Sequence, residues 1–494
     1  MNGADIRPAN PIEPALEEAL EGRLPVLPAE RIYKRYGSLL WTTAVLSAAS
    51  YAYLVGGALA SFGNTRMSIA GYLVGLIVGE VVVVLAAGVP SFRSGVDTID
   101  AAKSALGIRG AGLVLVTVLA TCLGWAYVLV AMTAEGAGRL LRVVGGHPLL
   151  QPDRTVVVVA ALVLIVVVWA LARRGPATME RLSSICAPWQ IAIAVGLFVL
   201  LVRHYGWTTL WARSGAPAGD MSTGRLLPLA DGIELGFANA LSLLPYLGGL
   251  TRMVRHSHHL TGPTVVGSGI VGAWIIATVA ALAVAASGSS DPTEWILVLS
   301  GPLVGSAIVA FLLIANVGTL VVQVYVAAVG ARQIGWVARL PWAWVLVIAL
   351  APGALLAFRT HWLLGQVATW LGYNGVMFVG MAAVLIADYF VIRRQQVELA
   401  HLYARPGQGR YWYHGGVNWL GVAVIVAAAA LYMYLFDPIT FRSQPMFRFA
   451  GAGIPTVLCA ALVYACGAML VGRSRRRMGR PASVNGAPEI EIGV

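Results

Sequence analysis

Long apolar runs broken by short polar ones set the pattern of this chain. About twelve of them, roughly 17 to 30 residues each, approach or exceed the ~20 residues with which a helix crosses a bilayer. They fall at 38–61, 67–89, 110–135, 155–172, 182–203, 227–250, 264–287, 302–329, 341–358, 362–392, 417–436 and 450–472, numbered here as spans 1 to 12. Residues 155–172 (TVVVVAALVLIVVVWALA) carry no charge, and neither do residues 264–287. Lipid offers backbone groups no hydrogen-bond partner, so each run must be a helix that satisfies its own. The pattern predicts an all-α polytopic membrane protein of about twelve helices, with its chemistry inside the bundle.

The polar intervals orient the bundle. Loops after even-numbered spans hold Arg93, Lys103, Arg109, Arg173, Arg174, Arg181, Arg252, Arg255, Arg332, Arg339, Arg393, Arg394, Arg405 and Arg410. That is fourteen of the 34 basic residues, with ten in the two tails and ten in the loops after odd-numbered spans. The positive-inside rule then puts both termini in the cytoplasm, in a multi-pass protein of the plasma (inner) membrane. An even number of spans requires the same. The tails, 1–37 and 473–494, are polar and expected to be mobile, and the second opens with a basic run suited to anionic headgroups.

Composition narrows the classes. The chain is 58% hydrophobic and 11% charged, where a soluble protein is about 25% charged. Its net charge of +12 comes from short loops and tails, without the aromatic-interleaved basic face of a nucleic-acid partner. Cys122, Cys186, Cys459 and Cys466 lie in or beside spans without ligand spacing, so they indicate neither a disulfide framework nor a metal site. The polar, acidic start is no signal peptide. No HExxH, CxxC, nucleophile elbow or paired carboxylates appear, so an enzyme is not expected, nor any cofactor.

Candidate chemistry sits where spans are interrupted. Span 1 carries Tyr53-Leu54-Val55-Gly56-Gly57 and span 6 carries Tyr246-Leu247-Gly248-Gly249, matching positions five spans apart that suggest an inverted repeat. Ser47, Ser50 and Tyr51 lie at the centre of span 1; span 6 offers Gly236-Phe237-Ala238-Asn239 and then Pro245. Small residues also let helices approach closely, so packing is one reading. A broken helix is the other, its carbonyls facing a cation and its hydroxyls a solute. Glu80 in span 2 and Glu234 in span 6 are costly at membrane depth unless paired, hydrated or protonated, which makes both candidates for proton coupling. Asn316, Thr319 and Gln323 in span 8, with Trp125 and Tyr127 in span 3, either bond neighbouring helices or line a cavity, where an indole suits stacking on a planar solute.

Ala387-Asp388-Tyr389-Phe390-Val391-Ile392-Arg393-Arg394, Leu402-Tyr403 and Gly416-Val417-Asn418-Trp419 form the most recognisable stretch. It closely resembles the nucleobase:cation symporter-1 family, with its (A/S)DYFLVRR-like segment, LY and G-x-N-W. Gly107-Ile108-Arg109-Gly110 and Thr251-Arg252 resemble lesser motifs of that family. The resemblance implies a five-plus-five inverted repeat, spans 1–5 in 38–203 and spans 6–10 in 227–392, with spans 1 and 6 discontinuous and spans 11 and 12 (417–472) appended. It implies a cation-coupled symporter that imports a nucleobase-like or related heterocycle (cytosine, purine, uracil, allantoin or hydantoin) by alternating access, between helices 1, 3, 6 and 8. An amino-acid or amine carrier of the same superfold, or a non-transporting receptor, are the alternatives.

Carried over by position, the resemblance gives a cation site of Leu46, Ala49, Ala315, Gly318 and Thr319, where Gly318 replaces a hydroxyl residue of a hydantoin-carrying member. Two solute-binding asparagines of that member become Leu320 and Val324, its stacking tryptophan falls at Cys122, one turn from Trp125, and a second falls at Phe237. The solute site is then expected at Ser50, Tyr51, Cys122, Trp125, Phe237, Asn239 and Gln323. The scaffold is retained while the polar solute contacts are replaced, and with one sodium ligand lost, a proton carried by Glu80 becomes the rival coupling ion.

Overall fold

In the computed structural model, residues 18–22, 24–145, 153–215, 226–288, 292–438, 440 and 442–478 are described. The rest of both predicted tails lies outside the described residues. Nine helices among them are long and apolar enough to cross a membrane: Thr65–Ser94, Ala111–Val144, Arg154–Ala172, Pro176–Tyr205, Ser257–Ser287, Trp295–Ala331, Trp342–Gly365, Gly372–Ile392 and Gly453–Val471. These are spans 2, 3, 4, 5, 7, 8, 9, 10 and 12. Span 11 is the shorter apolar helix Trp419–Leu435. Span 1 is a bent pair, Tyr36–Ser47 and Tyr51–Ser61, turned by 61°, and span 6 another, Leu227–Leu241 and Leu244–Thr251, turned by 43°.

The span 6 break has a local cause, and the span 1 break a distant one. In span 6 it falls at Ser242 and Leu243, between the Gly236–Asn239 stretch and Pro245. Proline has no amide to give the Leu241 carbonyl, so the helix cannot run through; the Leu243 amide bonds three residues back, to Ala240, at 2.9 Å. In span 1 the Ser50 amide would donate to the Leu46 carbonyl in an unbroken helix. It donates instead to Asn316 Oδ1 of span 8, at 3.2 Å.

The pairing of spans carries the inverted repeat. Span 1 lies along span 7 and span 6 along span 2, while spans 3 and 8 pack on each other. Exchanging the two halves maps each pair onto the other. Spans 2 and 6 meet almost backbone to backbone: a methyl added at Gly75 would lie 2.0 Å from the Ile233 carbonyl oxygen, and one at Gly236 2.3 Å from that of Tyr72. Only glycine permits that approach.

The described part of the N-terminal segment departs from expectation, because it is clamped beneath the bundle. Arg252 donates to the carbonyls of Ala19 and Leu20 at 2.9 and 2.8 Å, and Arg332 pairs with Glu21 at 2.6 Å. The Val26 amide bonds Gly95, and the Tyr33 amide bonds Met253, at 2.8 and 2.9 Å. Ala19, Val26 and Tyr33 are buried. These arginines thus act as donors to a strap as well as topology charges.

The motifs of the family resemblance converge on the same end. Asp388 pairs with Arg393 at 2.5 Å and accepts from Tyr464 at 3.0 Å, while Asn418 donates to Ala105 and Tyr464 at 2.7 and 3.1 Å. The Arg109 amide reaches the Gly416 carbonyl at 2.9 Å. Gly107 has φ +91°, and a methyl there would lie 2.4 Å from the Gly416 oxygen. These residues bolt spans 10, 11 and 12 to the loop before span 3; they frame the bundle and lie outside the central cavity.

Candidate functional site

Between the two breaks lies a cavity of about 30 Å³, lined by Leu46, Ser47, Tyr51, Trp125, Asn239, Ser242, Leu243, Tyr246 and Gln323. It has room for about one water. The breaks build it: Leu46, Ser47 and Tyr51 flank the interruption of span 1, and Ser242 and Leu243 are the interruption of span 6. Spans 3 and 8 supply Trp125 and Gln323 as the facing wall. No lining residue is charged.

Three buried polar atoms in the lining close no hydrogen bond of ordinary geometry among the described residues: Trp125 Nε1, the Tyr246 hydroxyl oxygen and Gln323 Oε1, although the Tyr246 hydroxyl lies beside both Gln323 and the Cys122 thiol. Buried polar atoms are nearly always bonded, so a cluster of exceptions in one cavity marks groups kept for something else. They comprise an N–H donor, a hydroxyl that both donates and accepts, and a carbonyl acceptor. Tyr51 and Trp125 sit side by side, ring centres 5.0 Å apart and planes tilted by 47°, offering aromatic faces to a planar guest. The Asn239 amide is aimed by its 2.7 Å bond to the Tyr72 hydroxyl.

Of the solute residues expected from sequence, Tyr51, Trp125, Asn239 and Gln323 line the cavity. Ser50, Cys122 and Phe237 do not. Ser50 is held by Asn316, which also donates to Thr133 of span 3 at 3.0 Å. Cys122 is buried in the core behind the wall. Phe237 stands against Gly453 of span 12, where an added methyl would lie 2.3 Å from its ring. Ser242, Leu243 and Tyr246 were missed as lining residues, although Pro245 among them signalled the break that turns them inward.

Around the expected cation site, the Thr319 hydroxyl donates to the Val45 carbonyl at 2.6 Å. Ala315 and Ala49 are buried nearby on spans 8 and 1. At Gly318 an added methyl would meet Cys186 of span 5 at 3.0 Å and Val45 at 3.4 Å, so this position contributes no side-chain oxygen and has little room for one.

The two carboxylates differ sharply. Glu234 Oε2 accepts from the amides of Ala452 and Gly453 at 2.5 and 2.9 Å. It caps the first turn of span 12, where a carboxylate is favoured by the orphan amides and the helix dipole. Glu80 is buried, yet neither of its oxygens closes a hydrogen bond of ordinary geometry.

Residues 35–454 match the family model described as permease for cytosine/purines, uracil, thiamine, allantoin. The hydantoin permease of Microbacterium maritypicum is 36% identical over 67 residues, which is 14% of this chain and 13% of that protein. Among solved structures, the nucleobase-cation-symport-1 transporter Mhp1 in a closed conformation with bromovinylhydantoin bound superposes with a TM-score of 0.74 at 17% identity, covering 92% of this chain and 96% of that one. Its inward-facing conformation gives 0.70 at 16%, covering 93% and 97%. A Na+-coupled sialic acid symporter gives 0.56 at 12%, covering 95% and 94%. With nine helices long and apolar enough to cross a membrane among the described residues, bent helix pairs at spans 1 and 6, and a family match over most of its length, the chain is a multi-pass membrane protein that belongs to the cytosine/purine, uracil, thiamine and allantoin permease family.

Proposed function

We propose that this protein is a cation-coupled symporter that imports a flat, neutral, nucleobase-like heterocycle by alternating access. The observation that carries the reading is the set of polar atoms that close no ordinary hydrogen bond on an uncharged lining, Trp125 Nε1, Tyr246 Oη and Gln323 Oε1, beside the Tyr51–Trp125 ring pair. A ring with amide edges needs stacking faces and a few donors and acceptors. A zwitterionic amino acid would need a charge or a free helix end, and the lining offers no charged group.

In this reading Ser47, Tyr51, Trp125, Asn239, Tyr246 and Gln323 contact the solute, while Ser50 positions the span 1 break through Asn316. The 30 Å³ cavity represents a closed stage of the cycle, and spans 1 and 6 move against spans 3 and 8 to admit the guest. The loop arginines support an orientation with both termini in the cytoplasm of the plasma (inner) membrane. For a sodium ion, the carbonyls of Leu46, Ala49 and Ala315 and the hydroxyl of Thr319 are the available donors. With glycine at 318 the set is one hydroxyl short, so sodium fits only in part and no step is assigned to it.

Uptake of tritiated cytosine, uracil, hypoxanthine and allantoin into vesicles carrying the full chain tests the proposal, with sodium and proton gradients imposed separately. Accumulation of at least one compound under one gradient is expected. Failure of all of them under both gradients, with amino acids accumulating instead, overturns it.

A further inference from the structure

Glu80 is a buried carboxyl with no basic partner among the described residues and no ordinary hydrogen bond to either oxygen. A carboxylate left so at membrane depth costs several kcal/mol unless it is paired, hydrated or protonated. Glu234 shows how the same chain treats a structural carboxylate: it gives it two amides and a helix end. Glu80 has no such role.

What Glu80 does have is a route to the cavity. The Ser268 hydroxyl of span 7 lies beside its carboxyl, and Ser268 Oγ is 2.7 Å from Ser47 Oγ. Ser47 lines the solute cavity. Gly269 lets the carboxyl lie against span 7, since a methyl there would come within 3.3 Å of Glu80 Cγ. Ser268 lies in a wide-turn π segment, Val265–Trp274, and a second, Val84–Gly88, begins four residues after Glu80 on span 2. Segments of this kind are frequent at functional positions. Spans 1, 6, 7 and 10 pack on this region of span 2. From them Glu80 meets the Ser268 hydroxyl, and the titratable group that interacts with it is the Tyr72 phenol on its own helix, already bonded to Asn239.

We infer that Glu80 is the proton-binding carboxyl of the transport cycle, loaded and unloaded from the solute cavity through the hydroxyls of Ser47 and Ser268. A proton from cavity water passes to Ser47 Oγ, which releases its own proton to Ser268 Oγ, which releases its own to a Glu80 carboxylate oxygen. The carboxylate becomes a neutral acid, both hydroxyls are regenerated, and the water is left as hydroxide. Unloading is the reverse, toward the side to which the cavity next opens. The inference rests on the cavity being the transport site, and it adds the proton as the coupling ion.

The test compares the full-length protein with Glu80→Gln and Ser268→Ala in proteoliposomes, using the four tritiated compounds above in two assays: accumulation under an imposed pH gradient, and exchange without one. Expected are wild-type accumulation under the pH gradient, loss of that accumulation in Glu80→Gln by tenfold or more, and exchange in the variant that no longer varies with pH. Ser268→Ala should slow proton-driven uptake while Glu80 remains in place. Infrared difference spectra of the purified proteins supply an arm that needs no solute: a protonated-carboxyl stretch at neutral pH in wild type that vanishes in Glu80→Gln. Equal gradient-driven accumulation in Glu80→Gln and wild type overturns the inference, as does wild-type accumulation driven by sodium alone, or an infrared band that the substitution leaves untouched. Absence of exchange of every compound in wild type counts against the solute reading, and the infrared arm then decides the proton site separately.

Discussion

Asn316 and Ser50 exchange two hydrogen bonds across the break in span 1: Asn316 Nδ2 donates to Ser50 Oγ at 2.7 Å, and the Ser50 amide donates to Asn316 Oδ1 at 3.2 Å. Span 8 therefore supplies the partners that the interrupted helix lacks. Thr319, one turn on, adds its bond to the Val45 carbonyl. The shape of the cavity depends on this junction, because Leu46, Ser47 and Tyr51 flank the break that it holds.

Asn316→Ala removes all of the side chain's bonds to Ser50 and Thr133 and leaves buried groups unpartnered, at a cost of about 1–3 kcal/mol for each unsatisfied group. The variant is expected to melt several degrees below wild type in detergent and to lose uptake on the order of tenfold or more. Melting curves and initial uptake rates check both. Unchanged values for both would show that the junction is incidental.

Tyr246→Phe and Gln323→Leu should behave in the opposite way toward stability. The atoms they delete close no ordinary hydrogen bond among the described residues, though the two side chains lie beside each other, so the solute-free protein should melt close to wild type. Solute affinity should fall about tenfold for each, as expected when one hydrogen bond worth ~1.4 kcal/mol is lost. Calorimetric titration with the accumulated compound measures this. A destabilised protein with normal affinity would assign these groups to packing.

Glu234→Gln is expected to weaken the start of span 12 without altering coupling. The amide side chain keeps an acceptor for Ala452 and Gly453 but loses the charge, which is worth roughly 0.5–2 kcal/mol at a helix N-terminus. A lower melting temperature with the wild-type response of uptake to pH is the outcome to look for. An altered pH response would return Glu234 to the coupling machinery.

Asp97, in the loop before span 3, offers a pH test of stability. Its side chain accepts from the Asp100 amide at 2.8 Å and caps the helix Thr98–Leu106. Burial, then the neighbouring Asp100, pushes its carboxyl up to about 6. An acid raised on folding binds more protons in the folded state, so its contribution is favourable near pH 4 and is lost as pH rises through 6. Asp97→Asn keeps the cap and removes the charge. It should be more stable than wild type at pH 8 by on the order of 1–3 kcal/mol, read as a higher melting temperature, with the gap closing toward pH 4. A constant gap would contradict this.

Much of the scaffold was legible because its causes are local. Bilayer-length apolar runs mark the helices, Pro245 marks the span 6 break, and Asp388, Arg393 and Asn418 mark the end of the bundle that they bolt together. The contents of the site were only partly legible, because they depend on which faces the breaks turn inward. Tyr246 entered the sequence reading as half of a glycine-pair motif, and its hydroxyl meets the cavity only because span 6 bends by 43° just before it. The glycines at 71, 75 and 79, opposite Gly232 and Gly236, were a spacing signal for the contact of spans 2 and 6 that went unread. The role of Glu234 is set by Gly453, more than two hundred residues away, and that of Phe237 by the same glycine; no local pattern could reveal either. Polar composition alone makes the N-terminal strap look mobile, yet Arg252 and Arg332 give that polarity partners.

The most direct test of the account is calorimetric binding of cytosine, uracil, hypoxanthine and allantoin to the purified protein and to Trp125→Ala. At least one compound should bind wild type and lose most of its affinity when the indole is removed, while the solute-free variant stays folded. Binding of that compound with undiminished affinity in Trp125→Ala would contradict a solute site between the broken spans.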